Sequence, residues 1–85
     1  MTTVLLIVDI QNDYFPGGRM ELAGSLQAGE QAARLLAAFR QLGLPTVHIQ
    51  HLATRPGATF FLPNTPGAEA HPCVQPLAGE TVIQK

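Results

Sequence analysis

Hydrophobic and polar positions follow a regular pattern in four stretches of the chain. Val4-Leu5-Leu6-Ile7-Val8 is an unbroken apolar run, the pattern of a strand buried on both faces of a parallel sheet. From Ser25 to Leu42 the residues Ala28, Ala32, Leu35, Phe39 and Leu42 recur at steps of four, three, four and three. That spacing predicts one apolar face of an α-helix. Gln27, Glu30, Gln31, Arg34 and Gln41 fall largely on the other side. Ser25 is the expected N-cap. Gly43 fits the left-handed stop position, and Pro45 bars any continuation. Thr46-Val47-His48-Ile49-Gln50 is β-branched and alternating, a short strand. Thr81-Val82-Ile83-Gln84-Lys85 reads as another. Strand, helix and strand in succession make a βαβ unit, for which right-handed crossover is the rule.

Between these elements lie two irregular stretches. Tyr14-Phe15-Pro16-Gly17-Gly18 is a turn-rich loop after the first strand. From His51 to Gly79 the chain is punctuated by Pro56, Gly57, Pro63, Pro66, Gly67, Pro72, Pro76 and Gly79. A loop of that length in a compact domain is functional or disordered, and the embedded Phe60-Phe61-Leu62 argues for order. A helical turn is expected near Ala68-Glu69-Ala70. There is no internal repeat and no low-complexity tract.

Composition narrows the function. Eighty-five residues allow one domain at most, and 46% apolar content is that of a globular chain. A net charge of −1 with five scattered Lys and Arg gives no basic patch, so neither nucleic acid nor anionic membrane is an expected partner. Met1-Thr2-Thr3 lacks a basic leader, and the first apolar run is too short for a signal segment or membrane span. A cytoplasmic location is expected. Cys73 is the one cysteine and forms no internal disulfide.

Candidate chemistry gathers where the strands end. Ligands of open α/β sheets bind outside the carboxyl ends of the strands, and the first strand ends on Asp9. A carboxylate there is either a partly desolvated base or a group that caps the following turn. Asp13 reads as a loop residue. If the last strand runs parallel to the first, Lys85 reaches the same edge, where it would orient a base and stabilise an anion; otherwise it is a solvated lysine. His48 and His51, three apart around a strand, do not share a face, and His71 is distant, so no metal site is expected. Cys73, bounded by Pro72 and Pro76, has no cation beside it in sequence and reads as loop packing rather than a reactive thiol. There is no G-x-G-x-x-G and no P-loop.

The stretch from Val4 to Tyr14, containing LLIVDIQNDY, resembles the opening strand of the isochorismatase-like hydrolases. Val47-His48-Ile49-Gln50-His51, Pro56 to Pro63, Thr65 to Glu69 and Gly79 to Lys85 are similar to that family in the same order. The resemblance covers nearly the whole chain. It implies an α/β fold of three layers with a parallel sheet in Rossmann-like order, here about three strands and one long helix. It also implies a Cys, Asp and Lys triad in which Asp9 matches the aspartate and Lys85 the lysine. The family cysteine follows the next strand, beyond Lys85. The metal-dependent nicotinamidase branch carries an aspartate and histidine pair after the second strand; His51-Leu52-Ala53-Thr54-Arg55 has none.

Residues 1–85 are therefore expected to be the N-terminal part of one hydrolase domain, a fragment or a truncated gene product. The complete enzyme would cleave a small amide, another C–N bond or a vinyl ether. Phe15, Gln11, His51 and Phe60 are expected to contact the small-molecule substrate, although aromatic residues at such positions equally suit a core. No cofactor is expected, and a homo-oligomer is, because the first strand would have an open edge. The alternative reading is a non-catalytic α/β binding or interaction module using the same edge.

Overall fold

The computed structural model describes residues 3–85. Strand β1 (Leu5–Val8) leads through a single 3₁₀ turn at Asn12–Tyr14 into α1 (Ser25–Gln41), then β2 (Thr46–Gln50), and finally β3 (Thr81–Gln84). Two more 3₁₀ turns, Pro66–Ala68 and Pro72–Val74, punctuate the long β2–β3 connection. The three strands form one parallel sheet in the order β1-β2-β3. Leu5 pairs with Thr46 and Val8 with Ile49; Val47 pairs with Thr81 and Gln50 with Gln84. Among the described residues β1 and β3 thus flank β2 on either side.

α1 ends as the sequence predicts. Gly43 takes φ +69, its N–H donates to Arg40 O, and the Leu44 N–H donates to Phe39 O at 2.9 Å. Those two bonds are the Schellman closure that a left-handed residue permits. The start differs: Gly24, at φ 80, occupies the cap position, and Ser25 is the first helical residue with no capping bond.

The helix face is also rotated from the expected one. Gly29 and Leu36 are its buried residues, and Ala32 and Ala33 pack beside Leu36 against Ile7 and Val74. Leu35 and Leu42 of the predicted stripe are 52% and 71% exposed. The helix carries two adjacent apolar stripes, and closeness of approach selects between them. A Cβ on Gly29 would sit 3.0 Å from the Phe15 ring and 3.1 Å from Cys73 Sγ.

β1 departs from full burial as well. Ile7 faces the core, whereas Leu6 and Val8 are 57% and 45% exposed. In register with them lie Val47, Ile49 and Ile83 on the same face. The described residues therefore supply the sheet and one covering layer, made of α1 and the β2–β3 connection, while the other sheet face is open.

A charged cluster joins three elements on the covered face. Arg40 Nε and Nη2 donate to Glu80 Oε2 and Oε1, each at 2.7 Å. His48 Nε2 donates to Oε1 at 2.9 Å, and the Leu77 N–H adds a bond at 3.0 Å. Arg40 holds the Glu80 carboxyl far below the usual carboxylate range, helped by the Leu77 and His48 bonds and opposed by burial. Glu80 in turn raises the Arg40 guanidinium above its ordinary value. A depressed folded-state pKa contributes stability that is present above the unfolded value, 4.5, and is lost as pH falls through the folded one. The melting temperature is accordingly expected to fall on acidification below about pH 4.5. Glu80→Gln should fall less steeply, so that thermal melts of the two forms converge in acid.

Candidate active site

The carboxyl edge of the sheet is built by the last rungs of the ladder. The Asp9 N–H donates to Ile49 O at 3.0 Å, the Lys85 N–H to Gln50 O at 3.0 Å, and the Leu52 N–H to Lys85 O at 2.9 Å. These bonds carry Asp9 and Lys85 to one edge. Lys85 Nζ lies 3.5 Å from Asp9 Oδ2, and His51 Nδ1 lies 3.9 Å from the same oxygen. Asp9 Oδ1 is buried and has no hydrogen-bond partner among the described residues. One carboxylate oxygen faces Lys85 and His51, and the other is left as an acceptor.

The backbone at Asp9 is left-handed, φ 58. Aspartate tolerates that region better than most residues. Strained conformations of this kind gather at active sites, where the surrounding structure imposes them. Asp9 follows directly on Val8, the last residue of β1. A cavity of about 140 Å³ opens beside it, lined by Val8, Ile10, Tyr14, Phe15, Leu22 and Ala28 together with Asp9 and Ser25.

An aromatic cluster borders the ion pair. The Phe61 ring centroid lies 4.6 Å from Tyr14, 5.1 Å from Phe60 and 5.4 Å from His51. Phe61 is fully buried and also left-handed, at φ 56. Asp13 holds it there: Oδ2 accepts the Phe61 N–H at 2.7 Å, and Oδ1 accepts the Arg19 N–H at 3.1 Å. The Asp13 carboxylate thus ties the β1–α1 loop to the long connection, and Gly67 packs so tightly on it that any Cβ would strike the carboxylate.

The structure sorts the expected substrate contacts. His51 and Phe60 stand half-buried in the aromatic cluster beside Asp9. The Gln11 amide is engaged with backbone groups. Gln11 is 2% exposed; its Nε2 donates to His51 O and Ala68 O, and its Oε1 accepts the His51 N–H at 2.8 Å. With these groups committed to backbone, Gln11 is a strut between loops. Phe15 is also turned inward, 4% exposed and stacked on His71 at 3.8 Å, although its edge contributes to the wall of the cavity.

His48 and His51 point to different places, His48 into the covered face and His51 to the sheet edge. Burial lowers the His71 pKa, and its Nδ1 accepts the Cys73 N–H at 3.2 Å. Burial pushes the Cys73 thiol up, the reverse of what a nucleophile needs. Among the described residues no group of three or more His, Cys, Asp or Glu is placed to hold a metal ion, and no helix is long and apolar enough to cross a membrane.

Sequence reasoning missed Glu80 and the reach of Asp13. Arg40 and His48 lie 40 and 32 residues from Glu80, and Phe61 lies 48 from Asp13, so no local periodicity reports them.

The chain is similar in sequence and fold to known proteins. The family profile of the isochorismatase domain matches residues 3–85. The uncharacterized isochorismatase family protein YddQ of Bacillus subtilis (strain 168) is 53% identical over the whole chain, which covers 47% of that protein. A crystal structure of an isochorismatase-type hydrolase from Oleispira antarctica superposes with a TM-score of 0.93 at 50% identity, covering 99% of this chain and 46% of the other. The N-carbamoylsarcosine amidase of Thermoplasma acidophilum superposes with a TM-score of 0.86 at 25% identity, covering 100% of this chain and 52% of the other. The chain spans about half the length of the relatives it matches.

Proposed function

The chain belongs to the isochorismatase family, and from that premise we propose that the protein, at the length of its relatives, is a hydrolase of a small amide or related C–N bond. The observation that carries this reading is the divided Asp9 carboxylate: Oδ2 beside Lys85 Nζ at 3.5 Å, and Oδ1 buried without a partner among the described residues. That oxygen is poised to accept a proton. The matched amidase from Thermoplasma supports the amide class.

In the proposed mechanism the nucleophile is the family cysteine, carried by sequence that follows Lys85 in full-length relatives. Asp9 Oδ1 takes the thiol proton, and the thiolate attacks the amide carbonyl carbon. The C–N bond breaks as the amine leaves with a proton returned from Asp9, and a thioester remains. Water, activated by the same carboxylate, hydrolyses the thioester and frees the acid and the thiol. Lys85 stabilises negative charge that develops in the reaction and fixes the geometry of Asp9. His51 and Phe60 line the substrate side. The cavity beside Asp9 is smaller than a typical ligand site, and the remaining walls come from the rest of the domain. A cytoplasmic homo-oligomer is part of the same reading.

The test is a panel of small amides offered to the protein at the length of its relatives. Turnover of at least one member is expected, with Cys73→Ala retaining most of kcat because its thiol is packed on Gly29 and raised in pKa by burial. A panel left untouched by well-folded protein would favour the non-catalytic binding module. A dead Cys73→Ala variant would overturn the assignment of the nucleophile.

A further inference from the structure

Backbone pairing between β1 and β2 ends at Asp9. The bonds leading up to that point keep one offset: the Leu5 N–H donates to Pro45 O and the Asp9 N–H to Ile49 O. The next rung of that ladder would join Gln11 to His51. It is made, but by a side chain. Gln11 Nε2 donates to His51 O at 2.9 Å, and Gln11 Oε1 accepts the His51 N–H at 2.8 Å. A side-chain amide offers a carbonyl and an NH₂ group, the same acceptor and donor as a peptide. The Gln11 backbone is turned instead to the long connection, where it forms an antiparallel bridge with Ala70. On either side of that bridge the His71 N–H donates to Ile10 O and the Asn12 N–H to Glu69 O.

This replacement resolves a local conflict. Asp9 is left-handed, at φ 58, a conformation that ends an extended ladder. Without Gln11, the His51 N–H and C=O would lose their partner on the β1 side, a costly state for shielded backbone groups. The second Nε2 proton goes to Ala68 O at 2.7 Å, so both amide protons are used. Every partner is a backbone group, which fixes the two ends of the amide. On the other side of the same segment, the Lys85 N–H donates to Gln50 O and the Leu52 N–H to Lys85 O. The His51 peptide is therefore held between Gln11 and Lys85, with its ring Nδ1 3.9 Å from Asp9 Oδ2.

We propose that Gln11 is a positioning residue of the site: its side-chain amide supplies the rung that β1 lacks beyond Asp9, and by clamping the His51 peptide it sets the His51 ring against Asp9. The effect on catalysis rests on the reading of Asp9 as the base. The replaced rung does not.

The test uses the protein at the length of its relatives. Gln11→Met keeps the size of the side chain and removes all three bonds. Rates are compared below the melting transition of every variant, where lost stability alone leaves kcat unchanged. Gln11→Met and His51→Ala are each expected to lower kcat by about tenfold. In the His51→Ala background, Gln11→Met should change kcat by less than about twofold, because the ring it positions is gone. Equal losses in both backgrounds, or a His51→Ala variant with parental kcat, would overturn the positioning role. The rung is read separately by amide hydrogen exchange. In Gln11→Met the His51 N–H should exchange at least about tenfold faster, while the Asp9 N–H, one rung earlier, changes by less than about threefold. Unchanged exchange at His51, or equal acceleration at both amides, would overturn the rung. If Asp9→Asn kept parental kcat, the base reading would fall and the exchange at His51 would decide the rung by itself. If Gln11→Met does not fold, Gln11→Asn, one methylene too short to span the rung, takes its place and is read in the same way. Loss of folding in both variants overturns the proposal, because Gln11 would then hold the whole fold.

Discussion

Asp9→Ala in the full-length protein is expected to lose on the order of 10²-fold or more in kcat, the usual cost of removing a positioned base. The size of the effect follows from the divided roles of the two carboxylate oxygens. Oδ2 engages Lys85 Nζ at 3.5 Å and lies 3.9 Å from His51 Nδ1, whereas buried Oδ1 has no partner among the described residues. Alanine removes the proton acceptor and leaves Lys85 with no counterion in that place. Asp9→Asn keeps the shape and the tolerance of a left-handed backbone but cannot take up a proton at neutral pH. It should therefore fold like the parent and be nearly as inactive as Asp9→Ala. Steady-state rates of the three forms, with folding checked by circular dichroism, decide the matter. An Asp9→Asn variant with parental kcat would sink the base assignment, because no proton acceptor would then be needed at residue 9.

The largest effect on stability is expected at Asp13. Its buried carboxylate accepts the N–H groups of Phe61 and Arg19 at 2.7 and 3.1 Å. Hydrogen bonds to a charged group contribute about 1.5–3 kcal/mol each, and removing the acceptor leaves the donors unsatisfied. Asp13→Ala should therefore cost about 3 kcal/mol or more. Part of that loss comes through Phe61, whose left-handed backbone depends on the bond. Gly67→Ala tests the same knot from the other side. It deletes no hydrogen bond, but its methyl would enter the space of the Asp13 carboxylate. A cost of about 1–3 kcal/mol is expected from overpacking. Urea unfolding is the measurement: the midpoint should drop with the slope unchanged. An Asp13→Ala midpoint equal to the parent's would show that the two loops are held by something else.

Local pattern carried much of the fold. The limits of β2 and the Gly43 stop follow from periodicity and turn chemistry, whereas the strand patterns leave the direction of β3 open and the family resemblance supplies it. The helix face did not follow, because two neighbouring apolar stripes run along α1 and only Gly29 against Phe15 and Cys73 decides between them. The burial of β1 was overestimated because an apolar run reports what a strand can bury, while the described residues cover one face only. At the site, Asp9, Lys85, His51 and Phe60 were visible as residues near one edge. Gln11 and Phe15 were visible as neighbours of Asp9 in sequence, but not as inward-facing. Which way a loop side chain turns depends on backbone acceptors such as Ala68 O, 57 residues away. Glu80 looked like an ordinary charge before a strand. Its meaning lies in Arg40 and His48, 40 and 32 residues back.

The left-handed backbone at Asp9 sets a conflict between durability and turnover. Glycine would relieve the conformation at φ 58, and by removing the carboxylate it would also spare the fold a buried, unpartnered oxygen. Selection for heat resistance alone would therefore drive residue 9 towards glycine, and each step in that direction would discard the chemistry. On the proposed function, the aspartate is kept only while the reaction is needed. Position 9 is thus a place where a drifting or duplicated copy, released from its reaction, is expected to become sturdier as it becomes inert.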